Sequence, residues 1–138
     1  MALRRSRIVA LLGPRQCGKS TAARQVHDER GGEWFDLERP SAASMLENAE
    51  LVLEDLRGLV VIDEVQHRPE LFRLLRVLAD RPDCPARFLL LGSASPAMIR
   101  NASESLAGRV ELVAMNGFSL AEIGIGHADR LWLRGGFP

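Results

Sequence analysis

The 138-residue chain is long enough for one domain with a real core and short of the size at which chains usually split. Hydrophobic residues make up 46% and charged residues 26%, and 18 Lys plus Arg balance 18 Asp plus Glu. This is a soluble globular composition with no polyanion-binding bias, so nucleic acid is not indicated.

In chain order, the first apolar run is residues 8–12. Arg4, Arg5 and Arg7 precede it with a passing likeness to an export signal, yet the run is far too short for a signal core or a membrane span. A cytoplasmic protein with no membrane segment is expected. Like the later runs at 59–62 and 88–91, this one is short, unalternating and rich in β-branched residues or leucine. Strands of a parallel sheet covered on both faces have that pattern. Helical patterns fall between them: residues 20–28 follow the first strand and residues 40–55 read as one or two helices. After Pro69, Leu71, Phe72, Leu75 and Leu78 share one helical face. Residues 34–37 and 110–115 supply two more strands, and 103–106 and 120–123 short helical stretches. The alternation predicts an α/β fold with right-handed crossovers. Cys17 and Cys84 are too few for a disulfide framework or a metal site and are expected as reduced thiols.

The segment Gly13-Pro14-Arg15-Gln16-Cys17-Gly18-Lys19-Ser20 matches GxxxxGKS/T between a strand and a helix, the context that gives this pattern its meaning. Gly13 and Gly18 let the backbone curl so that successive N–H groups face inward, and the following helix adds its positive end. Such a cradle suits a triphosphate. Lys19 is expected to reach the outer phosphates and the Ser20 hydroxyl to ligate magnesium. Cys17 reads as a small residue that fits the loop.

The strand at 59–62 runs into Asp63-Glu64, two carboxylates at the carboxyl edge of a buried strand, where open α/β sheets bind ligands. Asp63 is the expected magnesium partner through a coordinated water, and Glu64 the group that orients or deprotonates an attacking water. The strand at 88–91 leads into Gly92-Ser93-Ala94-Ser95. Ser93 is the first candidate there for sensing a terminal phosphate, although Gly-Ser clusters are also ordinary loop chemistry. Arg109 precedes the last strand and can offer a guanidinium to a γ-phosphate on its own chain or a neighbour's; a salt-bridged surface arginine fits equally well. His27, His67 and His127 lack metal-ligand spacing. Arg68, Arg73 and Arg76 read as the solvent face of an amphipathic helix, and Trp34 and Trp132 as core or domain-edge packing.

These words, in this order, resemble the bacterial and archaeal AAA-type ATP-binding proteins, whose N-terminal ATPase domain is followed by a C-terminal region of unknown function. The likeness rests on Gly13-Pro14-Arg15-Gln16 with Gly18-Lys19-Ser20-Thr21, Phe35-Asp36-Leu37-Glu38, and Ile62-Asp63-Glu64-Val65-Gln66. It continues through Leu91-Gly92-Ser93-Ala94-Ser95, Leu106-Ala107-Gly108-Arg109 and Arg134-Gly135-Gly136-Phe137-Pro138, covering nearly the whole chain. The resemblance implies a three-layer P-loop NTPase fold of the additional-strand type, with a mostly parallel five-stranded sheet. It implies ATP and Mg2+ as ligands, the loop from Gly13 through Thr21 as the nucleotide site, Glu64 as catalytic carboxylate, Ser93 as first sensor and Arg109 near the arginine-finger position. It also raises a homo-oligomer and an unnamed protein client.

Against the family the chain looks cut at both ends, with residues 1–138 as the ATPase core and the helical lid domain absent. Arg130 and Arg134 stand without the context of a second sensing arginine. The expected activity is Mg2+-dependent hydrolysis of ATP to ADP and phosphate; the alternative is a nucleotide-binding switch or truncated module with little turnover. A small-molecule kinase is disfavoured because no arginine-rich lid segment occurs, and a GTPase because no asparagine-lysine-x-aspartate sequence does. The roles of Arg15, Gln16 and Gln66 do not follow from the sequence.

Overall fold

The computed structural model describes residues 2–83 and 85–137. Cys84, expected as a reduced thiol, and Pro138, the last residue of the C-terminal word, lie outside the described residues. A short helix, α1 (Ala2–Arg5), leads into β1 (Ile8–Leu12), followed by α2 (Lys19–Arg30) and β2 (Glu33–Asp36). Helices α3 (Pro40–Met45) and α4 (Ala49–Leu53), joined by the 3-10 turn Leu46–Asn48, lead to β3 (Gly58–Asp63). Then come α5 (Leu71–Asp80), β4 (Ala86–Gly92), α6 (Pro96–Ser105), β5 (Val110–Ala114), α7 (Leu120–Ile123) and α8 (Ala128–Arg134).

The strands form one sheet in the order β2-β3-β4-β1-β5, and all four neighbouring pairs are parallel. The mostly parallel five-stranded sheet expected from the sequence is therefore present, with β4 inserted between β1 and β3. Side chains alternate across it as the pleat requires. Ile8, Ala10, Leu12, Val60, Ile62, Phe88 and Leu90 enter the larger core, against Phe72 and Leu75 of α5, Leu53 of α4 and Met98 of α6. Val9, Val61, Leu89 and Leu91 enter a smaller core with Leu3 of α1 and Ala23 of α2. Burial on both faces explains why these strands read as unbroken apolar runs.

Three elements depart from the sequence reading. Helix α6 begins at Pro96 rather than near residue 103, because the Ser95 hydroxyl accepts the Met98 N–H at 3.2 Å and Pro96 occupies the first turn, where its missing N–H costs nothing. Helices α1 and α8 were not foreseen. Trp132 of α8 is 89% exposed, which removes the core alternative of its expected core or domain-edge packing, and no residue of α7 or α8 is buried. Arg7 ties the approach to β1 to the end of α5. It donates to the Ala79 and Arg81 carbonyls at 2.7 and 2.6 Å, satisfying carbonyls at the C-terminal end of α5. Among the described residues no helix is long and apolar enough to cross a membrane.

Phe88 lies on the strand between β1 and β3 and is fully buried. Phe88→Ala is expected to lower unfolding free energy by about 3–5 kcal/mol in urea melts; a loss below about 1 kcal/mol contradicts this packing.

Candidate functional site

Because every strand runs the same way, all five carboxyl ends share one edge of the sheet. Asp36 is in register with Asp63, Leu12 with both Gly92 and Ala114. The loops leaving β1, β3 and β4 thus converge, as they do at ligand sites of open α/β sheets.

The loop after β1 is shaped by contacts that exclude side chains. A Cβ on Gly13 would run into the Met115 carbonyl oxygen and the Cys17 sulfur, so only glycine lets the loop lie this close to the strand end. Gly18 has φ +94 and the exposed Gln16 φ 63, two left-handed residues that curl the chain into the start of α2. No side chain caps α2 and no acidic residue lies in its first turn, so its N-terminal charge faces the cradle unneutralised. Lys19, the one lysine in the chain, is buried, and its ammonium donates to the Gly13 and Pro14 carbonyls at 3.1 and 2.7 Å. Those bonds keep a buried cation satisfied while its side chain lies along the loop. Cys17 turns the other way, its thiol donating to the Met115 carbonyl at 3.5 Å, so it enters the site through its backbone alone.

Ser20 Oγ donates to Asp63 Oδ2 at 3.0 Å, joining the two motifs. The other Asp63 oxygen accepts the Glu64 N–H at 3.0 Å. Burial pushes the Asp63 carboxyl above its ordinary range, partly offset by these two bonds and reinforced by the nearby Glu64 and Asp36 charges. Glu64 itself has φ 55, a left-handed conformation uncommon outside glycine, and lines a cleft of about 450 Å3 with Arg15, Gln16, Gly18, Lys19, Ser20, Thr21 and Glu38. A hydroxyl and a carboxylate in contact beside an uncapped helix start are the donors a magnesium-bound polyphosphate calls for, so the residues fit that ligand.

Ser93 joins the site indirectly: its backbone N–H donates to Gln66 Oε1 at 3.4 Å, and Gln66 Nε2 donates to Glu64. Arg109 does not join it on its own chain. It precedes β5, so it lies at the opposite sheet edge, about 20 Å from the cradle by strand rise. There it makes a bidentate pair with Asp80 at 2.5 and 2.9 Å. Glu38, held to Arg15 at 3.4 Å, and Gln66 are site residues to which the sequence reading gave no role. For Glu38 a signal existed, since Asp36-Leu37-Glu38 leaves β2 at the same edge as Asp63-Glu64 leaves β3. One ligand atom each of Glu38, Glu64 and the exposed His67 gather within 4.8 Å at the mouth.

Residues 5–124 match the model of the family described as AAA domain. The chain belongs to that family. Its fold is similar to the P-loop NTPase domain of a sigma-54 transport activator from E. coli, with a TM-score of 0.54 and 19% identity over 81% of this chain and 84% of that one. Two uncharacterized proteins, Rv2008c of Mycobacterium tuberculosis and Mb2031c of Mycobacterium bovis, are each 54% identical over 99% of the chain. The chain spans 31% of the length of each of these relatives. An AAA-family P-loop NTPase domain is a nucleotide-binding module, and the sheet has the parallel α/β architecture of that fold.

The raised Asp63 carboxyl has a consequence for stability. It binds its proton more tightly folded than unfolded, so its contribution favours the folded state in acid and is lost as pH rises from the unfolded value through the folded one. Asp63→Asn is therefore expected to raise the Tm of the ligand-free domain at neutral pH, with the gain shrinking toward about pH 4. Thermal melts across pH check this; a lower Tm at neutral pH contradicts it.

Proposed function

We propose that the domain binds ATP with Mg2+ in the cleft between the Gly13–Thr21 loop and Asp63-Glu64 and hydrolyses it to ADP and phosphate. The supporting observation is the 3.0 Å bond from Ser20 to Asp63, which sets a hydroxyl and a carboxylate side by side in front of the uncapped start of α2. Magnesium, when bound, neutralises charge on the phosphate oxygens, and Ser20 and Asp63 are the residues that would hold it. Lys19 exchanges the Gly13 and Pro14 carbonyls for phosphate oxygens. The loop N–H groups and the α2 terminus stabilise the remaining negative charge.

Glu64 supplies the acid–base chemistry. Its carboxylate at the lip of the cleft takes a proton from the attacking water as the water oxygen bonds to the γ-phosphorus and the bond to the bridging oxygen breaks. The electron pair stays with the ADP oxygen, and Glu64 returns the proton to the products. A cytoplasmic location is part of this reading.

The position of Arg109 favours a second reading for an isolated copy, in which ATP binds with little turnover. Arg109 lies at the sheet edge away from its own cleft, and only a second copy can bring it to a γ-phosphate. On this reading the active species is a homo-oligomer.

Glu64→Gln is expected to keep ATP affinity within about threefold and to slow phosphate release by about 100-fold or more. Release at the parent rate removes Glu64 from its role. For the oligomer, phosphate release per molecule should climb with protein concentration, and Arg109→Ala mixed with Glu64→Gln should regain activity that neither has alone. A flat concentration profile with no regain contradicts a shared site.

A further inference from the structure

Gln66 lies in the 3-10 turn Val65–His67, outside the phosphate loop and two residues past Glu64. The left-handed Glu64 reverses the chain directly after β3, and fully buried Val65 anchors the turn from below. Residue 66 is thereby brought back over the sheet edge, where its amide makes two bonds. Nε2 donates to Glu64 Oε2, and Oε1 accepts the Ser93 backbone N–H at 3.4 Å.

The partners dictate that orientation. A backbone N–H only donates, so it must face the amide oxygen, and the carboxylate is then left facing the amide nitrogen, which is the arrangement in which both bonds form. Gly92 makes room for it, since a Cβ there would stand 2.9 Å from Gln66 Oε1. Ser93 follows β4, which neighbours β3 in the sheet, so one side chain spans the ends of two adjacent strands.

We infer that Gln66 is a positioning residue: it holds the Glu64 carboxylate in its working orientation and makes that orientation depend on the loop after β4. The inference rests on the reading of Glu64 as the base. A glutamate has three side-chain torsions, and a carboxylate held at one oxygen loses most of that freedom before substrate arrives. A shift of about 1 Å in a catalytic group costs on the order of 100-fold in rate. Gln66 is bonded neither to the Gly13–Thr21 loop nor to the Ser20–Asp63 pair, so binding energy for ATP does not pass through it.

Two variants of similar length test this. Gln66→Met removes both hydrogen bonds, and Gln66→Glu keeps the shape but sets a second carboxylate against Glu64. Phosphate release and calorimetric affinity for Mg2+ATP are compared with the parent, with Glu64→Gln, and with Glu64→Gln combined with Gln66→Met. Both single variants should lower kcat by about 10- to 100-fold with Kd within about twofold, and Gln66→Met should add nothing to Glu64→Gln. Unchanged kcat overturns the inference, and so does a parallel fall of kcat, affinity and Tm, or a full multiplicative loss in the double variant.

If the parent chain shows no turnover, the hydrolysis reading fails, and the coupling is still decided by the amide spectrum of 15N-labelled protein. Glu64→Gln should move the Ser93 N–H resonance in the parent and leave it in place when Gln66 is Met. A Ser93 resonance indifferent to Glu64, or one that moves equally without Gln66, overturns the coupling.

Discussion

The hydrogen bond from Ser20 to Asp63 joins the exits of two strands that are not neighbours in the sheet. β4 lies between β1 and β3, so the bond reaches across two strand spacings, about 10 Å of sheet edge. It forms only because all three strands run parallel, end at the same level and are followed at once by a tight turn. The apolar runs that lock the register therefore also set the distance between hydroxyl and carboxylate. A slip of one residue in β3 would exchange Val61 for Ile62 across the two cores and carry Asp63 away from Ser20.

Around that bond the protein keeps an arrangement that is poor for stability and suited to an anion with a divalent cation. Asp63 is buried as a carboxyl that resists ionisation, Lys19 is buried against carbonyls, and the N-terminus of α2 is left without a cap. Gln16 and Glu64 hold left-handed conformations that non-glycine residues seldom adopt. Each costs folding free energy, and the magnesium-bound polyphosphate proposed for this site would offset the first three. The cradle is thus stabilised by the large cores on either side of the sheet rather than by its own contacts.

Much of this was legible in the sequence, and the exceptions have physical causes. Strands such as 59–62 and 88–91 stood out because both faces are covered, and the face of α5 because Leu71, Phe72, Leu75 and Leu78 are all buried. The start of α6 was hidden because Ser95-Pro96 reads as readily as a turn, although it is also a cap followed by a first-turn proline. Helix α8 buries nothing, so no burial pattern marks it. The place of Arg109 was available from topology alone. In a parallel sheet a residue before a strand sits at the edge opposite the residues that follow strands, which removes it from its own cleft. The contacts of Gln66 were not available, since they depend on the backbone reversal at Glu64, which no local propensity announces.

The most direct test of the cradle as a nucleotide site is an amide map of 15N-labelled protein titrated with Mg2+ATP. The largest shifts should fall on Arg15 through Thr21 and on Asp63 and Glu64, and be lost in Lys19→Ala. Shifts confined to the apolar groove beside α8, around Phe118 and Leu131, or no shifts at millimolar nucleotide, on the order of the weakest specific binding, would contradict it.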